Sequence, residues 1–191
     1  MIMKPGELLL LFVITAGIVS CAGPQPRDTF QMPYDDRIKL ASIYIQGGQE
    51  DKALAVLEKA VVQDKERPEG WAMLGELYWL KGDLKASSRS LEKALEAGGE
   101  DPVILNNLAW IEFERGLEEK ALALSDRAVA QDPVPLYPYL ETRASILYSL
   151  ERYGEAAADA RAALKMTPEY DREMRGKLEK LIREIEGKSG Y

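Results

Sequence analysis

Trp71-Ala72-Met73-Leu74-Gly75-Glu76-Leu77-Tyr78, followed by Gly82-Asp83, Ser87, Leu91 and Ala94, decides the fold. Apolar side chains return at helical intervals on both sides of Gly82, so two amphipathic helices joined by a tight turn are expected. Gly75 and Ser87 are small at the places where the two helices would cross, and a larger side chain there would overpack the crossing. Glycine at 82 suits the left-handed residue that closes a helix, and Asp83 can cap the helix that follows.

The same pattern recurs along the chain. Small residues stand at Ala41, Gly75, Ala109 and Ala144, with spacings of 34, 34 and 35. Ala53, Ser87, Ala121 and Ala156 form a second series in that register, and Ala60, Ala94, Ala128 and Ala163 a third. The turn glycine returns at Gly48 and Gly116 and becomes Glu151 in the last unit. Pro68 and Pro102 open units, where a missing N–H costs little, and Pro133 and Pro168 end them. These residues resemble the tetratricopeptide repeat, a 34-residue helix–turn–helix. The resemblance implies an all-α tetratricopeptide-repeat solenoid: four helix–turn–helix repeats at 34–67, 68–101, 102–136 and 137–168, then a capping helix and tail at 169–191. The one-residue insertion around Pro133-Val134-Pro135 and Pro138 marks the expected irregularity. Arg37, Lys65, Gly99, Glu112, Ser125, Arg143 and Ala160 depart from the signature.

A stack of such units needs its last apolar face covered. Tyr170, Met174, Leu178, Leu181, Ile182 and Ile185 make a stripe suited to an end cap, with charged residues opposite and a frayed tail expected from Gly187 to Tyr191.

The N-terminus reads as an address. Leu8–Val19 carry no charge, too short a run to span a bilayer but suited to the apolar part of a secretory signal. Ile18-Val19-Ser20-Cys21 resembles the bacterial lipobox. That likeness implies a lipoprotein signal peptide over 1–20, cleavage before Cys21 and a diacylglycerol thioether on its sulfur. The alternative is an ordinary signal or N-terminal anchor with an incidental cysteine. Residues 21–33 would be a lipid-anchored, proline-rich tether. Ala22, where an Asp would signal retention in enterobacteria-like sorting, implies an outer-membrane lipoprotein facing the periplasm. Phe30, Met32 and Tyr34 either belong to the tether or pack on the first helix.

Composition narrows the chemistry. The 191 residues hold 25 Lys and Arg against 32 Asp and Glu, with no histidine and one cysteine. Imidazole catalysis, intrachain disulfides and Cys–Cys metal sites are thereby excluded, and a net charge of −7 without a basic cluster argues against nucleic acid. No nucleophile–base pair, P-loop or metal motif occurs, so no cofactor, metal, small-molecule substrate or enzymatic activity is expected.

The resemblance further implies a concave groove lined by the first helix of each repeat. On that register Trp79, Asn106, Asn107, Trp110, Phe113 and Tyr148 would form an aromatic strip with two amides able to hold a peptide backbone, whereas Trp71 would belong to the core. Ile38 and Ser42 occupy the places of the Lys and Asn with which chaperone-binding relatives clamp a C-terminal carboxylate. The expected role is an envelope adaptor binding a protein or peptide. It is similar to pilotin-like proteins of type IV pilus assembly, with peptidoglycan-hydrolase recruitment and outer-membrane protein assembly as alternatives and an enzyme as a remote one.

Overall fold

The computed structural model describes residues 32–189 apart from 99, 132 and 133. The expected signal peptide, Cys21, Phe30 and most of the expected tether lie outside the described residues, as do Gly99 and Pro133. Among the described residues the chain is all helix, in four antiparallel pairs and a cap. The pairs are α1 (Tyr34–Gln46) with α2 (Glu50–Gln63), α3 (Pro68–Leu80) with α4 (Leu84–Gly98), α5 (Pro102–Glu114) with α6 (Glu118–Ala130), and α7 (Tyr137–Ser149) with α8 (Tyr153–Met166). The cap is α9 (Arg172–Ser189). Each helix packs on its neighbours in sequence; in addition α1 touches α3, α5 touches α7, and α7 touches α9.

Every turn within a pair closes in the same way. Gly82 N–H donates to the Trp79 carbonyl at 2.8 Å and Asp83 N–H to that of Tyr78 at 2.9 Å. The same two bonds recur at Gly48/Gln49, Gly116/Leu117 and Glu151/Arg152. This double bond pattern needs a left-handed residue at the first position. Gly48, Gly82 and Gly116 have φ of 64°, 77° and 76°, and Glu151 has 60°. Left-handed backbone costs an L-residue about 1–2 kcal/mol, partly offset by the greater freedom glycine has when unfolded. Glu151→Gly is therefore expected to stabilise by about 0.5 kcal/mol, measured as a rise in the urea midpoint at unchanged slope.

Helix starts follow the sequence. Asp83 accepts a hydrogen bond from Ala86 N–H at 2.9 Å, and Asp101 accepts from Val103 and Ile104 N–H at 2.8 and 3.2 Å. Tyr34 opens α1 and is buried rather than part of a tether; its hydroxyl accepts from Gly70 N–H at 2.8 Å, joining the first two pairs. At the irregular junction between α6 and α7 the Val134–Pro135 peptide is cis.

The repeated small residues lie at the crossings. Ala41, Ala53, Ala60, Ala94, Ala109, Ala121, Ala128, Ala144, Ala156 and Ala163 are fully enclosed. A Cβ on Gly75 would come within 2.6 Å of Leu91 Cγ and 2.8 Å of its Cδ2. Leu91 is itself buried, so a larger side chain at 75 must displace a packed neighbour. Gly75→Leu should therefore cost about 1–3 kcal/mol by overpacking α3 against α4, read from a denaturant melt. A neutral variant would mean that the crossing yields.

Two buried clusters make up the core, one among α1–α3 and one extending from α4 to α9, and Trp71 packs against both. Its indole N–H donates to the Lys65 carbonyl at 3.0 Å, and Lys93 Nζ sits 4.4 Å from the ring centroid. Leu178 and Ile185 of α9 are completely buried, with Met174, Leu181 and Ile182 beside them. Two expectations for this end need correction. Tyr170 is 86 % exposed, because it lies in the turn before α9 and not on the helix. Gly187 and Lys188 continue the helix, which runs to Ser189.

Candidate functional site

The first helices of the last three pairs, α3, α5 and α7, together with parts of α4 and α9, line a half-open cavity of about 700 Å³. Trp79, Asn106, Asn107 and Trp110 line it. Trp79 and Trp110 come from successive repeats and meet through one carboxylate. Trp79 Nε1 donates to Glu114 Oε2 at 2.8 Å, and Trp110 Nε1 donates to Glu114 Oε1 at 2.9 Å. Both indole edges are thus fixed, while Trp79 remains 40 % exposed. Phe113 does not line the cavity but supports it: its ring lies 5.7 Å from that of Trp110, tilted by 58°.

Tyr148 is not brought into this cavity. Its ring packs on Tyr153 at 5.8 Å, across the α7–α8 turn. The expected four-ring strip is therefore a two-indole wall with Phe113 behind it. Tyr153 competes for Tyr148 because it begins the returning helix directly opposite.

Polar groups complete the lining. Glu76 belongs to α3, Glu141 to α7 and Lys177 to α9. Burial pushes the Glu141 carboxyl above the usual carboxylate range, with Lys177 and a hydrogen bond with Ser145 working against that shift. Lys177 also lies 3.7 Å from Glu173 on its own helix. Among the described residues, two buried side-chain polar atoms lack a hydrogen-bond partner, Ser87 Oγ and Asn106 Oδ1, and both residues line this cavity. Sequence reasoning missed Lys177, because the rotation of a capping helix is set by how its stripe docks and not by the repeat register. The periodicity carries no sign that Glu114 would bridge two indoles.

A second polar cluster lies inside the stack. Glu112, an apparent mismatch to the signature, is 0 % exposed. Its carboxylate accepts from Ser88 Oγ at 2.5 Å, from Arg115 Nη1 at 2.7 and 2.8 Å, and from Lys120 Nζ at 3.3 Å. Arg143, another mismatch, joins α7 to α8 and α6 through Asp159 at 2.6 and 2.9 Å and Asp126 at 3.1 Å. Arg37 donates to the Met32 carbonyl and to Gln63. These polar departures are ties within and between repeats. Among the described residues, no group of three or more His, Cys, Asp or Glu side chains is placed to hold a metal ion, and no helix is long and apolar enough to cross a membrane.

Family models of the tetratricopeptide repeat match residues 35–77, 73–134 and 137–170. The chain is 25 % identical over 140 residues to the cytochrome c-type biogenesis protein CycH of Pseudomonas aeruginosa, covering 71 % of this chain. It spans about a third, 34 %, of the length of that relative. Among solved structures, Pseudomonas aeruginosa PilF superposes with a TM-score of 0.71 at 20 % identity, over 82 % of this chain and 68 % of PilF. PilW, described as a widely conserved type IV pilus biogenesis factor, gives 0.67 at 19 %, over 83 % and 78 %. YrrB, described as having an unusual peptide-binding site, gives 0.65 at 20 %, over 81 % and 86 %. With the repeat models running almost unbroken from 35 to 170 along a stack of paired helices, the chain belongs to the tetratricopeptide-repeat family, whose members act as scaffolds for protein interactions.

Proposed function

We propose that this protein is a lipid-anchored adaptor of the bacterial cell envelope that holds a segment of a protein partner against the Trp79–Trp110 wall and performs no catalysis. The observation that carries the reading is the cavity itself: two indoles from successive repeats bound to one carboxylate, with Asn106 and Asn107 beside them. Aromatic side chains in a partly enclosed pocket are typical anchors of protein recognition, and amides can pair with a bound backbone. Anchoring rests on the lipobox-like Ile18-Val19-Ser20-Cys21, and outer-membrane delivery on Ala22.

Within that role we place the protein in type IV pilus assembly, in the manner of a pilotin. The support is likeness of fold to PilF and PilW over four fifths of the chain. A second reading, service to cytochrome c assembly, has its own support in the 25 % identity to CycH. Loss of the gene separates them: a pilus adaptor should leave the secretin unassembled with cytochromes intact, and a cytochrome factor the reverse.

The adaptor reading is tested by placing a photo-crosslinking residue at exposed Asn107 and, as a control, at exposed Val62 on α2, in cells. A discrete envelope protein captured from 107 and not from 62 is expected; equal capture from both would reject the groove. The anchor is tested by palmitate labelling, which Cys21→Ser should abolish. Labelling that survives the substitution, or is missing from the unaltered chain, would reject lipidation at Cys21.

A further inference from the structure

The chemistry of the cavity says what kind of side chain it is built to receive. Its walls offer acceptors and negative charge. Glu76 and Glu141 line it, and the Glu114 carboxylate lies at the edge of both indoles. Asn106 Oδ1 and Ser87 Oγ are buried with no hydrogen-bond partner. A buried acceptor without a donor costs free energy that a ligand's donor would recover. The one cation in the lining, Lys177, reaches in from α9, and its side chain is 59 % exposed.

We propose that the cavity binds an arginine side chain carried on the partner's segment, its guanidinium lying against the indole faces and donating to Glu141 and Asn106. This rests on the adaptor reading and adds the identity of the anchor.

Charge complementarity argues for a cation, and geometry argues for arginine. A guanidinium is planar, stacks on aromatic rings and carries five N–H donors but no acceptor, so it can serve several acceptors at once. A lysine ammonium is a compact, strongly hydrated charge and stacks less well. An acidic residue would meet Glu76 and Glu141, and an aliphatic one would leave Asn106 Oδ1 and Ser87 Oγ without donors. Each indole donates to Glu114, which places negative charge beside the rings and strengthens the pull of their faces on a cation. Burial raises the Glu141 carboxyl, and a cation beside it supplies the counter-charge that Lys177 provides only in part. Lys177 then occupies the mouth as an internal competitor and must give way when the partner arrives.

The full chain, purified in detergent and labelled with ¹⁵N-tryptophan, tests this. Three tryptophans give three indole signals, assignable from single Trp→Phe variants. The probes are acetyl-Leu-Arg-Leu-amide and the same peptide with citrulline, the neutral isostere of arginine, or with lysine or glutamate at its centre. The arginine peptide is expected to shift the Trp79 and Trp110 signals saturably and to leave that of Trp71 in place. Citrulline and glutamate should bind at least about tenfold more weakly, and lysine in between. Glu141→Gln should weaken the arginine peptide by roughly tenfold, and Lys177→Met should tighten it by about threefold, both with unchanged melting curves. Citrulline or glutamate binding as tightly as arginine overturns the proposal, as does a failure of the arginine peptide to move the Trp79 and Trp110 signals. Neither result touches the adaptor reading, which is decided by crosslinking from position 107.

Discussion

Glu112→Ala is expected to remove about 3–5 kcal/mol of stability, because breaking a buried ion pair strands its partners. The carboxylate is wholly enclosed, at 0 % exposure, and accepts from Ser88, Arg115 and Lys120. These partners come from α4, from the turn after α5 and from α6, so a single side chain ties the second repeat to the third. Alanine would leave a cavity, a buried Ser88 hydroxyl without its acceptor, and an Arg115 guanidinium without its counter-charge, with only the Ser88 oxygen left to accept from it. Arg115 is 26 % exposed and Lys120 45 %, and both can turn toward water, so the loss should lie near the lower end of the range. Urea unfolding followed by circular dichroism measures it. Removing the charges together, as Glu112→Met with Arg115→Leu, should recover much of the stability, since apolar replacement of a buried pair is often neutral. A loss below about 1 kcal/mol for Glu112→Ala would show that the carboxylate reaches water and that the tie is dispensable.

The repeat architecture was legible because it depends on backbone proximity. Helices can cross closely only where side chains are small, and a turn can close only where left-handed backbone is tolerated. The spacing of Ala41, Gly75, Ala109 and Ala144 therefore suffices to reveal the stack. Glu151 breaks the glycine rule at the fourth turn, although the backbone there adopts the same geometry as at Gly82. Interactions between repeats were harder to read. Glu112 looked like an error in the signature because Ser88 and Lys120 are distant in sequence; the one local clue was Arg115, three residues on. Trp79 and Trp110, placed side by side by the repeat register, do line one cavity, since both project from the same side of successive first helices. Tyr148 obeys the same rotation yet is held by Tyr153, a contact set by the path of the α7–α8 turn. Lys177 entered the cavity through the docking of α9, for which the repeat has no rule.

Trp110→Ala should weaken the partner by about 30-fold or more, since truncating a central aromatic anchor typically costs about 2 kcal/mol or above. Trp110 holds this position because it forms the wall shared by two repeats. Its indole N–H fixes Glu114, Glu114 fixes Trp79, and Phe113 supports its ring from behind. Alanine removes the stacking face directly and frees Glu114 to rotate, so the surviving Trp79 loses part of its constraint. The fold should suffer less. Trp110 packs against one core cluster from its rim, whereas Trp71 touches both clusters and is tied to the Lys65 carbonyl. Trp71, although half-buried, is accordingly the reference for a structural loss, which for Trp71→Ala is expected below the roughly 3–5 kcal/mol of a fully buried aromatic. Each variant requires two measurements on the full chain: a melting curve, and titration with the envelope protein captured from position 107. The expected pattern is opposite in the two variants, with binding lost and folding largely kept for Trp110→Ala, and folding lost for Trp71→Ala. If Trp110→Ala melts as early as Trp71→Ala while its folded fraction still binds the partner at full strength, Trp110 is a core residue and recognition lies elsewhere on the stack.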